Sequence, residues 1–238
     1  MKILITNDDG ILSPALPPLA RWAKKLGDVL VVAPKREQSG KSHAIDFCKE
    51  IEIKRVDLVE GVRAYSVDST PADCVRYAVL GLGERFDLVI SGINKGFNLG
   101  KDIVYSGTAG AVFEAARLEM KGIALSTDPH SFEDAINSLD GLYSFFAANS
   151  LLEINDLYNV NIPLSASDIE FTHLGRIYYT DNFVEEREGI FVQKGEPMRY
   201  HTRDAGSDID AVTNGIISIT PLTAERTHRT ALEKLRTL

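Results

Sequence analysis

The tetrapeptide Asn7-Asp8-Asp9-Gly10 follows an apolar run at residues 3–5. Two adjacent carboxylates repel each other when a fold holds them close in a cleft. A divalent cation would cancel that repulsion. Carboxylate, hydroxyl and amide oxygens are hard ligands that suit magnesium, manganese or calcium. Consecutive side chains on a strand point to opposite faces, so Asp8 and Asp9 share a ligand only if the chain turns, and Gly10 permits a turn. The other use of these residues is structural, with Asp8 as a helix cap and Asp9 in a solvated turn. The five histidines are scattered and show no zinc spacing.

Two more polar clusters end apolar runs. One is Arg36-Glu37-Gln38-Ser39-Gly40. The other spans residues 91–100, where Gly92, Gly96 and Gly100 alternate with Asn94 and Asn98. Glycine and asparagine accept left-handed backbone, and the amides of such a loop can bind phosphate oxygens; a plain connecting loop has the same composition. The spacing is not the dinucleotide fingerprint G-x-G-x-x-G. "KREQSGKS" is not a P-loop, because Lys35 stands where the first glycine is required. Ser106, Gly107 and Thr108 open the helix of "YSGTAGAVFEAARL", whose unpaired N–H groups and partial positive charge favour phosphate. Simple N-capping by Ser106 or Thr108 is the alternative. Elsewhere, His43 follows the Ser39 loop, where it could line the site, but a lone histidine reads as structural or solvated; Cys74 reads as core. Tyr178, Tyr179 and Phe183 could pack an interface or stack a base, and packing is the reading taken. Asp204, Asp208 and Asp210 have the look of a metal cluster, but acidic surface loops are the commoner use and the reading taken.

These clusters need a scaffold. "KILIT", "DVLVVAP", "FDLVISG", "GIALST" and "LYNVNIP" are continuous apolar runs that predict buried strands. "LPPLARWAKKL" is predicted helical, with Leu19, Trp22, Ala23 and Leu26 on one face. "TPADCVRYAVLGL", the segment from Ser106 and "FEDAINSLDGLYSFFAANSL" are predicted helices, the first with Thr70 as N-cap and Pro71 following. "EIEIKRV" and "RAYSV" suggest a hairpin. Alternating strands and helices predict an α/β, Rossmann-like, mainly parallel sheet covered by helices on both faces. Ligands of such sheets bind beyond the carboxyl ends of the strands, where all three clusters fall. The pattern weakens after Pro163, so residues 1–163 are expected to form the catalytic core and 164–238 an extension, with a strand in "GIISITPL" and a short helix in "RTALEKLRTL".

The 238 residues carry a formal net charge of −8. With no Lys/Arg block, duplex nucleic acid is not expected as a partner. No apolar run approaches ~20 residues, so no membrane span is expected. Two cysteines without close spacing and no signal-peptide layout suggest reduced thiols and a cytoplasmic location.

Together, "ILITNDDG", "VVAPKREQSG", "DSTPADCV", "LVISGINKGFNLGKDIVYSGTAGAVFEAARL" and "GIISITPL" resemble the SurE family of nucleotidases, up to about Pro163 and again from near Asp204. The resemblance implies hydrolysis of nucleoside 5'- and 3'-monophosphates, with short polyphosphate as a further substrate in some members. It implies one divalent cation, Mg2+ or Mn2+ with Ca2+ as a further choice, held by Asp8, Asp9, Ser39 and Asn94. It also implies phosphate binding at Ser106, Gly107 and Thr108, with Asn98 in the active-site loop. An exchanged hairpin and a helix in the extension would build a homodimer or homotetramer. Asp8 is then expected to orient or deprotonate the attacking water, or to attack phosphorus itself. The chain departs from the family pattern at Ser69, where a glycine commonly precedes Thr-Pro, and over residues 176–200, which are short and lack the family's Pro-Arg-Gly and Tyr-Tyr-Trp features. A nucleotide-binding regulatory module without turnover is the alternative function.

Overall fold

The computed structural model describes residues 1–130, 132–198 and 203–238. Its centre is built from the continuous apolar runs. β1 (Lys2–Thr6) pairs in parallel with β2 (Asp28–Pro34) on one side and β5 (Leu88–Lys95) on the other. The parallel array extends through β4 (Arg63–Val67) beyond β2, and through β6 (Lys121–Thr127) and β7 (Leu157–Ile162) beyond β5. β3 (Ile53–Val56) runs antiparallel to β4, forming the expected hairpin. β11 (Ile216–Leu222) adds antiparallel to β7 and carries β8 (Asp168–Phe171) in parallel. The order across nine strands is β3-β4-β2-β1-β5-β6-β7-β11-β8.

Alternate residues of β1 feed opposite layers. Ile3 and Ile5 pack with Leu16, Leu19 and Trp22 of α1 (Leu16–Ala23) and with Leu139, Leu142 and Phe146 of α4 (Glu133–Ala148). Leu4 packs with Cys74 and Val75 of α2 (Pro71–Arg76) and with Ala111 and Ala115 of α3 (Gly107–Arg117). Both faces are therefore dry, as a parallel sheet requires. α2 starts as the sequence predicts, Asp73 N–H donating to Thr70 Oγ1 at 3.2 Å, but its α-helical part ends at Arg76. A wider turn follows over Tyr77–Gly81, with the Tyr77 ring against Gly81. Cys74 is core, as expected, and both cysteines are free thiols. No helix among the described residues is long and apolar enough to cross a membrane.

α5 (Leu151–Ile154), α6 (Asp208–Thr213) and α7 (Arg229–Leu235) are short, and α7 buries none of its residues. β9 (Asn182–Arg187) and β10 (Ile190–Lys194) form a separate antiparallel hairpin, every residue of which is exposed.

His43 proves to be structural. It meets Glu114 at 2.7 Å, and Arg76 and Arg117 reach the same carboxylate at 3.1 and 2.7 Å. Burial alone would push the Glu114 carboxyl up, but the bonds from His43, Arg117 and Arg76 outweigh it and hold the carboxyl at about 2, below its ordinary 4.5. A depressed carboxyl stabilises the fold above its unfolded pKa and loses that contribution as pH falls toward the folded value. Between pH 4.5 and 2 the loss is on the order of 3 kcal/mol. Glu114→Gln is expected to lower the melting temperature at neutral pH and to flatten its fall over that window. An unchanged acid profile in a pH series of thermal melts would refute the assignment.

Candidate active site

β2, β1 and β5 are neighbours, so the loops leaving their carboxyl ends meet at the point where strand order reverses. The first loop is closed by Asn7, whose Nδ2 donates to Gly10 O at 3.0 Å while its Oδ1 accepts from Gly10 N–H at 3.1 Å. The chain turns at Gly10, whose φ is +94°, and Asp8 and Asp9 stay close enough to repel. Asp8 is 4% exposed. Its Oδ1 accepts from Thr108 Oγ1 at 2.6 Å and its Oδ2 from Thr108 N–H at 3.2 Å. Asp8 thus caps a helix, but that helix is α3, a hundred residues away. Gly107 makes the approach possible, since a Cβ there would stand 2.9 Å from the Asp8 Cβ.

Asp9 Oδ2 accepts from Lys95 N–H at 3.1 Å, tying the first loop to the end of β5. Burial and repulsion from Asp8 raise the Asp9 carboxyl to about 6. Burial likewise raises Asp8, against the two bonds from Thr108. The second loop is anchored by Gln38 N–H donating to Asp8 O at 2.7 Å, and it presents Ser39, whose Oγ donates to Glu37 Oε1 at 2.7 Å. Asn94 Nδ2 donates to Gly96 O at 2.7 Å. Its amide oxygen therefore remains as a hard donor. Ser106 caps α3, its Oγ accepting from Ala109 N–H at 3.0 Å, so the capping reading of that serine holds in the structure.

Asp8, Ser39, Asn94, Asn98 and Ser106 line one cavity of about 280 Å³. Asp9, Gly107 and Thr108 are not among the lining residues; Asp9 lies against Asp8, and Thr108 is bonded to the Asp8 carboxylate. A larger depression beside α6 contains Arg176, Arg203 and Asp210 and none of the predicted site residues.

Several site residues escape a local reading. Lys95, Asp102, Tyr179 and Asp181 also line the cavity. Asn98 is gripped from behind: its N–H donates to Asn161 Oδ1 at 2.9 Å, and its C=O accepts from Asn159 Nδ2 and Asn161 Nδ2 at 2.8 and 3.0 Å. Its own Nδ2 donates to Ser126 Oγ at 2.8 Å. The signal in the sequence was Asn159-Val160-Asn161, two amides at strand spacing inside an apolar run that buries them. Asp208 also departs from expectation. It is fully buried rather than part of an acidic surface loop, while Asp210 pairs with Arg203 at 2.9 Å. No cluster of three or more His, Cys, Asp or Glu side chains suited to a metal exists among the described residues. The donor set at β1 holds two carboxylates completed by neutral oxygens, so it is not a cluster of that kind.

The "Survival protein SurE" family model matches residues 3–181. The 5'-nucleotidase SurE of Legionella pneumophila subsp. pneumophila is 37% identical, covering 100% of this chain and 97% of its own length. That of Rubrobacter xylanophilus is 36% identical over 99% of this chain and 96% of its own. The crystal structure of the SurE protein from Aquifex aeolicus superposes with a TM-score of 0.82 at 32% identity, covering 100% of this chain and 99% of the other. A parallel sheet in this order, three loops meeting at its switch point and full-length similarity at this level make the chain a member of the SurE family.

Proposed function

We propose that the chain is a metal-dependent phosphomonoesterase that hydrolyses nucleoside 5'-monophosphates, with 3'-monophosphates and short polyphosphate as further substrates. The observation that carries this reading is the single cavity that joins Asp8, Ser39 and Asn94 to the start of α3. The names of the relatives, 5'-nucleotidase SurE, supply the substrate class.

The residues present fit a divalent cation. Asp8 and Asp9 are raised by burial and Asp9 also by Asp8, a cost that a cation would remove. Asp8, Asp9, Ser39 and Asn94 would hold it, and every donor is a hard oxygen. The metal would be Mg2+ or Mn2+, with Ca2+ as a third fit. When bound, such a cation supplies Lewis-acid polarisation of the phosphoryl group and acidifies a coordinated water.

The chain's own residues do the remainder. The start of α3 at Ser106, Gly107 and Thr108 reaches the cavity through Ser106, and Lys95 adds a cation to the cavity wall, so charge on the phosphoryl group is stabilised. Asn98, held by Asn159 and Asn161, faces the same space as a fixed phosphate-side residue. Water is the nucleophile, with Asp8 orienting it or accepting its proton. Asp8 is a poor nucleophile itself, because both its oxygens already accept bonds from Thr108.

Two measurements test this. Phosphate release from AMP in the presence of manganese should be readily detected; binding of AMP without release would support a regulatory module instead. Acid quenching during turnover of labelled AMP should find no phosphate bound to protein. A phosphoryl group on Asp8 formed at the turnover rate would overturn the water mechanism.

A homodimer or homotetramer belongs to the same proposal, as does a cytoplasmic location, which two free thiols support. A two-stranded hairpin alone is marginal in water, yet β9 and β10 expose Phe183 and Phe191 at 71% and 54%. Exchange of this hairpin onto a second copy would cover them. Light scattering is expected to report a dimer or tetramer, and a monomer at micromolar concentration would argue against exchange.

A further inference from the structure

We propose that Asp208 is a positioning residue for the loop of residues 94–100, acting through Gly100, so that the chain beyond Pro163 sets where Asn98 sits. The inference rests on the reading of Asn98 as a phosphate-side residue. Asp208 opens α6 and is fully buried. Its Oδ2 accepts from Gly100 N–H at 2.8 Å. Its Oδ1 accepts from Gly175 N–H at 2.8 Å and from Ile209 N–H at 2.9 Å. One carboxylate thus joins the active-site loop to the segment after β8.

Helix capping does not account for this residue. Ser207 already caps α6, accepting from Asp210 N–H at 3.1 Å. A buried carboxylate that meets only amide donors is costly unless those bonds are needed, and the donors it holds belong to two segments far apart in sequence. Those segments touch backbone to backbone. Gly100 has φ +55°, and a Cβ there would stand 1.8 Å from Arg176 O. Lys101 N–H donates to Arg176 O at 3.1 Å. Asp102 repeats the device, its Oδ2 accepting from Tyr178 N–H and Tyr179 N–H at 2.7 and 2.8 Å. Asn98 lies between two anchors, the Asn159/Asn161 pair on its own backbone and Asp208 two residues on. The metal side is held separately, through Asn94 to Gly96, Lys95 to Asp9, and Gly96 N–H to Thr127 O at 2.9 Å.

Asp208→Asn keeps the shape but turns a donor toward Gly100 N–H or Gly175 N–H. A displacement of ~1 Å at a reacting group costs up to ~10²-fold in rate. In the full-length protein with AMP and manganese, kcat is therefore expected to fall roughly 10- to 100-fold, with KM and the manganese requirement within about threefold of wild type. Leu139→Ala, in the α4 core away from the cavity, provides a comparably destabilised control that should retain kcat below its melting temperature. A folded Asp208→Asn with wild-type kcat overturns the proposal.

Hydrogen exchange of the wild-type protein decides the matter if the variant does not fold. Manganese with inorganic phosphate is expected to slow exchange together at Gly100, Gly175 and Ile209. Slowing confined to residues 95–102 overturns the clamp. No slowing anywhere, alongside no release of phosphate from AMP, overturns the site reading and the clamp with it.

Discussion

Treatment with EDTA is expected to reduce phosphate release from AMP to background, and manganese or magnesium to restore it. The expectation follows from where the carboxylates sit. Asp8 is 4% exposed and its neighbour Asp9 is raised to about 6 by burial and by Asp8 itself, so the metal-free site holds two carboxylates whose charge the fold disfavours. A cation bound there offsets both effects. Because it binds the folded chain and not the unfolded one, it should also raise thermal stability, by ~2.7 kcal/mol at a hundredfold excess over Kd. For a chain of this size that corresponds to roughly 5–10 °C. The thermal shift needs no substrate and so separates metal binding from turnover. A metal-stripped sample with full activity would sink the assignment of Asp8, Asp9, Ser39 and Asn94.

Asp9→Asn should move stability and activity in opposite directions. An acid raised in the folded state is destabilising once ionised, so stability falls as pH rises through the interval from 3.8 to about 6. The full effect is roughly 3 kcal/mol at neutral pH and above. Asparagine removes the charge and keeps an oxygen for Lys95 N–H, which donates to Asp9 at 3.1 Å. The metal-free variant is therefore expected to melt higher than metal-free wild type at pH 7.5, to lose most of its response to manganese, and to lose ~10²-fold or more in kcat/KM. Asp8→Asn should show a similar loss of activity without the gain in stability. Both Asp8 oxygens serve Thr108, at 2.6 and 3.2 Å, and an amide cannot accept both bonds. Calorimetric melts of the two variants, with and without manganese, distinguish these outcomes. A lower metal-free melting temperature for Asp9→Asn, with an intact manganese shift, would remove Asp9 from the ligand set.

The core sheet and its helices were legible because their signals are local. A strand buried on both faces is an unbroken apolar run, as in residues 3–5 and 29–33, and Thr70 and Ser106 announce the helices they cap. The chemistry of Asp8 and Asp9 was legible for a related reason: two neighbouring charges before a glycine state their own electrostatic problem. Asp208 is not legible in this way, since an aspartate among polar residues reads as solvated and only the packed fold shows it buried against Gly100 and Gly175. Glu114 looks like any helical glutamate until His43 and Arg76, 71 and 38 residues away, close on it. Asn159 and Asn161 give no hint of Asn98 until β7 lies beside β6. The sequence by itself determined the element types, the sheet class and the oxygen-rich chemistry of the loops, because propensity, burial period and charge act between near neighbours. Only the tertiary structure decided which carboxylate meets which amide, because those partners are chosen by strand order and shared burial across a hundred residues of chain.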